Sequence, residues 1–153
     1  MSRENVETAK MIYPGPLDLT AIFASSEALD AARAQLEPLF EPNFETVHDP
    51  TAVGLAVGDP TGTGVIEGVE GFIGMWREWL SVWESWVVTP TGFIDVDHQR
   101  ILVLLTFEGR SQTHGAGMTL DGGNLLSFRK GRVERLELFF KRGDALQAAG
   151  LSE

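Results

Sequence analysis

Residues 86–140, WVVTPTGFIDVDHQRILVLLTFEGRSQTHGAGMTLDGGNLLSFRKGRVERLELFF, decide the fold of this chain. Apolar and polar side chains alternate along much of the stretch, which is typical of β-strands. We predict four strands, over residues 86–96, 99–110, 114–129 and 132–140. Because the turns between them are short, consecutive strands must run antiparallel.

The chain on either side of this meander is predicted to be mainly helical. A first helix is expected from Ser2 to about Ile12, where a proline-rich stop follows. Ser25 and Ser26 can cap a second helix whose apolar spacing extends to Phe40. Residues 43–50 then alternate like a short strand, and residues 143–149 form a last short helix. This order predicts a single α+β domain over residues 1–153, in which helices pack on one face of a curved antiparallel sheet.

Between the strand at 43–50 and the meander lies an aromatic helix. Its apolar side chains recur every three or four residues, as in a helix with one apolar face: Phe72, Met75, Trp76, Trp79, Leu80 and Trp83. Such a stripe is usually part of the core. It also suits the wall of a cavity, since tryptophan offers a rigid apolar face and one N–H donor.

Composition excludes several classes of function. The net charge of −10 disfavours nucleic acid and anionic membranes as partners. The absence of cysteine excludes disulfides, thiolate nucleophiles and cysteine-ligated metals. No apolar run approaches the ~18 residues of a membrane span and the start is polar, so we expect a cytoplasmic protein.

Three segments together resemble a known superfamily. They are LFEPNFETVHDP at 39–50, the helix-opening GVEGF at 68–72, and GRVER at 131–135. The chain from about residue 17 resembles the nuclear transport factor 2-like superfamily, in particular its SnoaL-like and ketosteroid-isomerase-like branches. The resemblance implies a cone-shaped, cystatin-like fold with an apolar pocket at one end. It also implies a homodimer, commonly formed through the outer face of the sheet.

Asp49 and Asn124 are the candidate catalytic residues that this resemblance implies. Asp49-Pro50 matches the motif in which the isomerase branch carries its general base, and a poorly hydrated carboxylate suits proton transfer. Asn124 falls where that branch carries a protonated acid that donates to an oxyanion, and an amide can donate too. The alternatives are that Asp49 caps a turn and that Asn124 belongs to a glycine-rich bulge.

One expected donor is missing from the pattern. The isomerase branch has a tyrosine roughly two dozen residues before the base, where this chain has serines, and its single tyrosine is Tyr13. We therefore do not predict a ketosteroid isomerase.

Strand alternation and the resemblance together predict the rest of the pocket. The expected wall consists of Met75, Trp76, Trp79, Met118, Leu120, Leu138 and Phe140. His114, at the start of the third strand, could reach the cavity as a second acid or base near neutral pH. No two histidines share a helical face, so we expect no metal site and no cofactor.

Two functions remain open. One is an isomerase, cyclase or dehydratase that moves a proton on a small apolar carbonyl or hydroxyl compound, with Asp49 as the base. The other is a non-catalytic module that binds a ligand or a second subunit, in which Asp49 has a structural role.

Overall fold

The computed structural model describes residues 2–47, 65–113 and 117–151. The helices are α1 Ser2–Ile12, α2 Leu19–Ala24, α3 Ser26–Leu36, α4 Gly68–Leu80 and α5 Arg142–Ala148, with a 3-10 turn at Glu37–Leu39. The strands are β1 Leu17–Asp18, β2 Phe40–Val47, β3 Val65–Glu67, β4 Trp83–Asp97, β5 Arg100–Ser111, β6 Gly117–Arg129 and β7 Arg132–Phe139. Within these ranges, no helix is both long and apolar enough to span a membrane.

One sheet contains all seven strands, in the order β1-β4-β5-β6-β7-β2-β3. The predicted antiparallel meander is confirmed as β4 to β7. The sheet then continues through β2, which pairs with β7 in parallel, and ends at β3. The α+β class and the curved sheet packed with helices are as the sequence predicted.

Two helix ends differ from the prediction. Helix α4 ends at Leu80, and the Ser81 hydroxyl donates to the carbonyl oxygen of Glu78 at 2.7 Å, so Trp83 begins β4 instead of continuing the helix. Phe40 likewise begins β2 instead of ending α3, which stops at Leu36 before the Pro38 turn. In both cases the three- or four-residue spacing continues by chance past the end of the helix.

Both faces of the central strands are buried. On the inner face, Ile101, Val103 and Leu105 belong to the main core, which also contains residues of α1 and α4. On the outer face, Leu102 and Leu104 form a second cluster with residues of α5. Helix α5 therefore lies on the face of the sheet opposite to the N-terminal helices.

The glycine pair in β6 is not a bulge. Pairing of β5 with β6 runs without a register shift from Arg110↔Gly117 to Arg100↔Ser127. A Cβ at Gly122 would overlap the carbonyl oxygen of Phe139 and approach the Phe107 ring to 2.9 Å. The missing side chain thus allows the end of β7 to lie close to β6, with Phe140 against the interior.

We predict that Gly122→Ala lowers the free energy of unfolding by about 1–3 kcal/mol, because a backbone carbonyl cannot move aside cheaply. The matched control is Gly117→Ala on the same strand, whose added Cβ would meet nothing closer than the Gly109 carbonyl oxygen at 4.0 Å. Urea denaturation of both variants measures the difference, and equal stabilities would contradict this account of Gly122.

Candidate functional site

A cavity of about 640 Å³ lies between the inner face of the sheet and the helices. Apolar side chains of α2 and α3 line it on one side, including Ile22, Leu29 and Ala32. Helix α4 contributes Phe72 and Trp76. None of the residues of α2 and α3 is buried, although several are apolar. Leu19, Phe23 and Leu36 of these helices pack against the main core, and the rest of their apolar face lines the cavity.

A hydrogen-bonded pair, Tyr13 and Asn124, provides the buried polar groups of the lining. The backbone N–H of Tyr13 donates to the Ala9 carbonyl oxygen at 2.9 Å, which places Tyr13 directly after α1. The Asn124 amide donates from Nδ2 to the Tyr13 hydroxyl oxygen at 2.6 Å. Both residues are over nine-tenths buried, at 8% and 5% exposed.

This pair keeps hydrogen-bonding capacity in reserve. The Tyr13 hydroxyl and the Asn124 amide together have three donor hydrogens, and their mutual bond uses one. The Asn124 Oδ1 atom is buried without a partner among the described residues. Since a buried polar atom without a partner is costly, Oδ1 is suited to accept a hydrogen bond from a ligand hydroxyl, while the two remaining donor hydrogens of the pair suit a ligand oxygen that accepts.

Burial raises the pKa of Tyr13 to about 12 from its ordinary value of 10.0, and the hydrogen bond from Asn124 offsets only part of that rise. The cause is the loss of hydration of the phenolate in an apolar site. Tyr13 therefore stays protonated at neutral pH and acts as a hydrogen-bond donor or acceptor, not as a base.

Of the residues predicted for the site, three line this cavity: Asn124, Trp76 and Leu138. Asp49 and His114 lie outside the described residues. Five residues predicted for the wall are absent from the lining. Met75, Trp79, Leu120 and Phe140 pack in or against the main core, and Met118 is 37% exposed.

An aromatic cluster explains why the predicted wall does not line the cavity. The Trp79 and Phe140 rings stack with their centroids 5.4 Å apart, and Trp79 meets Trp86 edge-to-face at 5.2 Å. Phe107 contacts Phe140 at 5.5 Å and also lines the cavity. The cluster therefore fills one part of the interior, and the cavity begins beyond Phe107.

Charged residues in the lining are engaged in ion pairs. The Arg33 guanidinium lies 2.9 Å from Glu37 and 3.0 Å from Glu70, so it links α3 to α4. These hydrogen bonds raise the pKa of Arg33 further above its ordinary value. Arg132 lies 3.8 Å from Glu41. The lining carboxylates Glu37 and Glu41 thus each lie beside an arginine. Among the described residues, no group of three or more histidine or acidic side chains is placed to bind a metal ion.

Tyr13 is a polar residue of the site that the sequence did not predict, and apolar lining residues such as Ile22 and Phe107 were not predicted either. The proline-rich segment after Tyr13 indicates a helix stop, and the partner of Tyr13, Asn124, is 111 positions away. A signal was present, because a tyrosine at the end of an apolar helix face needs a partner for its hydroxyl when buried.

We predict that Tyr13 shows a phenol titration near pH 12 in the folded protein, measurable by ultraviolet difference absorbance because it is the only tyrosine in the chain. Its pKa is raised on folding, so its contribution to stability is complete below pH 10 and is lost as the pH rises towards 12. The loss is on the order of 2–3 kcal/mol. Tyr13→Phe should lack this component, and a titration near pH 10 in the folded wild type would contradict the burial.

Comparisons with known proteins agree with this architecture. A family model described as SnoaL-like domain matches residues 21–136. A nuclear transport factor 2-like protein of unknown function from Burkholderia pseudomallei is 20% identical, with a TM-score of 0.65 over 94% of this chain and 95% of that one. The comparison with curated proteins yields no match.

Two further solved structures share the fold and hold ligands. A hypothetical protein from Catenulispora acidiphila with a ketosteroid isomerase-like fold, in complex with trimethylamine, is 16% identical, with a TM-score of 0.57 over 95% of this chain and 92% of that one. A Mycobacterium tuberculosis protein in complex with estradiol-17β-hemisuccinate is 13% identical, with a TM-score of 0.56 over 88% of this chain and 92% of that one. At these identities the likeness is one of fold.

Proposed function

Since this chain belongs to the SnoaL-like domain family, we propose that it binds a small, largely apolar molecule and moves a proton on it without a cofactor. The substrate class is a carbonyl or hydroxyl compound, and the reaction is an isomerisation, cyclisation or dehydration. The observation that carries the proposal is the Tyr13–Asn124 pair, which places unused donors in the wall of an apolar cavity.

The pair defines one end of the proposed binding mode. An oxygen of the ligand accepts a hydrogen bond from Tyr13 or Asn124, while its apolar body contacts side chains such as Phe72 and Trp76. Donors held in a dry site stabilise negative charge that develops on a carbonyl oxygen. The estradiol ester bound by the Mycobacterium tuberculosis protein supports an apolar, oxygen-bearing ligand of this class.

Asp49 is the proposed general base and His114 a second acid or base. The paired states of Glu37 and Glu41 support this choice, because neither is a free carboxylate. The pairing of Glu37 and Glu41 also favours the second candidate function. This is a ligand carrier without chemistry, in which Asp49 has a structural role. The proposal includes a homodimer. Its interface does not include the strand surface that α5 covers.

We predict that a naphthyl ketone binds more tightly than the matching naphthyl hydrocarbon, by about 2- to 10-fold, since one neutral hydrogen bond contributes about 0.5–1.5 kcal/mol. Tyr13→Phe and Asn124→Leu should each remove much of this advantage and leave the hydrocarbon affinity nearly unchanged. Isothermal titration calorimetry measures both ligands. Equal losses for ketone and hydrocarbon would show that the pair shapes the cavity without binding oxygen.

A matched pair of variants on α3 tests whether this cavity is the binding site. Ala32 lines the cavity, whereas Ala34 is exposed on the same helix. Ala32→Trp should abolish binding of both ligands by filling the space, and Ala34→Trp should bind like the wild type. If both variants bind normally, the ligand binds elsewhere.

We predict that the protein exchanges the α-carbon protons of bound ketones with deuterated solvent and that Asp49→Asn abolishes this exchange. The isosteric amide cannot accept the proton, while it preserves the size of the side chain. Asp95→Asn, at an exposed position of β4, is the control and should exchange normally. Proton NMR follows the reaction. Tight binding without exchange in the wild type would leave the carrier function in place of the enzyme.

A further inference from the structure

The side-chain carbonyl oxygen of Asn124, Oδ1, is buried without a hydrogen-bond partner among the described residues. Asn124 is 5% exposed and belongs to the cavity lining. Its cross-strand neighbours are Val103 on β5 and Leu138 on β7, whose side chains have no polar hydrogen to donate. Since a buried acceptor without a donor is costly, a donor supplied by a molecule in the cavity would stabilise this site.

Tyr13 and Asn124 leave one donor and one acceptor that a single hydroxyl group can join. Asn124 Nδ2 donates to the Tyr13 hydroxyl oxygen at 2.6 Å, so the proton of Tyr13 remains available to another acceptor. A ligand hydroxyl that accepts this proton and donates its own to Oδ1 closes a ring of three hydrogen bonds. Each bond in such a ring polarises the next one. A ketone oxygen can accept from Tyr13, but it has no proton for Oδ1.

Tyr13 itself shows that the cavity wall disfavours an ionised hydroxyl. Its pKa is raised to about 12 although Asn124 donates a hydrogen bond to it, because burial removes the hydration of the phenolate. An ionised ligand beside Tyr13 would meet the same apolar wall and also the lone pairs of Oδ1. The charged residues of the lining lie in ion pairs with neighbours of opposite charge: Arg33, Glu37, Glu41 and Arg132.

We propose that the cavity binds its ligand as a neutral hydroxyl compound, an alcohol, phenol or enol whose own proton is donated to Asn124 Oδ1. This narrows the proposed class of carbonyl and hydroxyl compounds to its hydroxyl members. It rests on the proposed function, because the cavity must first bind a ligand. The corresponding ketone, ether or anion binds more weakly, since none of them has a proton to give to Oδ1.

The first test measures the protonation state of a bound naphthol in the wild-type protein. The ionised form of a naphthol absorbs at longer wavelengths than the neutral form, so absorbance follows its titration at pH values below the titration of Tyr13. We expect the pKa of the bound naphthol to lie at least one unit above its pKa in water, which corresponds to a preference of about tenfold for the neutral form. A bound naphthol that ionises at or below its pKa in water would overturn the proposal.

The second test compares naphthol with its methyl ether, which can accept a hydrogen bond but cannot donate one. Calorimetry should show that the wild type binds naphthol about fivefold more tightly or better. Asn124→Leu should lose most of this preference, whereas Tyr13→Phe, which retains Oδ1, should keep part of it. The matched control is Asn43→Leu, the same substitution at an exposed asparagine of β2, which should bind both compounds like the wild type.

The outcomes separate this proposal from the proposed function. If naphthol and ether bind equally, or if Asn124→Leu keeps the full preference for naphthol, the hydroxyl proposal is overturned and the binding of small apolar molecules stands. If neither compound binds to the wild type, both the proposed function and this inference are overturned. Should Asn124→Leu fail to fold, the absorbance titration of naphthol bound to the wild type decides the question.

Discussion

The structure depends on the burial of β5 on both of its faces. The run from Ile101 to Leu105 is at most 8% exposed along its whole length, although alternate side chains point to opposite sides. A strand of this kind needs cover on both faces, since each exposed leucine or isoleucine would cost about 1.5–3 kcal/mol. Helices α1 and α4 contribute to the cover of the inner face, and α5 covers the outer one. The cavity exists because the inner cover is incomplete where α2 and α3 pass over the sheet.

The alternation of residues 86–140 was sufficient to predict the meander and the fold class, because each of its strand pairs is local in sequence. It could not predict the parallel pairing of β2 with β7, where Thr46 lies opposite Leu136. That pairing is decided by tertiary contacts between distant segments. The sequence could have predicted that something covers the outer face of the sheet, where α5 lies. A continuous apolar run such as residues 101–105 indicates a strand buried on both faces.

The site was predicted less well than the fold, and for a physical reason. Alternation assigned the correct side to Leu138, which lines the cavity, and to Phe140, but it could not show that Phe140 packs in the aromatic cluster around Trp79. The glycine pair was ambiguous because glycine is compatible with a bulge and with a close approach. The structure shows the close approach, of Phe139 at Gly122 and of Ala145 at Gly123. Asn124, next to this pair, then extends into the interior in regular register.

An empty apolar cavity of this size lowers the stability of the helices and strands that surround it. Side chains that border an empty space lack packing partners on one side, and this destabilises the elements that carry them. In α2 and α3 no residue is buried, and the polar attachments of α3 include the exposed link from Arg33 to Glu70. Elements with little buried surface open most readily, so we expect this helix pair to be the least stable part of the cavity wall. Tyr13 and Asn124 are held instead by α1 and β6, which pack in the main core. The donors are therefore carried by elements of the main core, whereas the two helices that complete the cavity wall contain no buried residue.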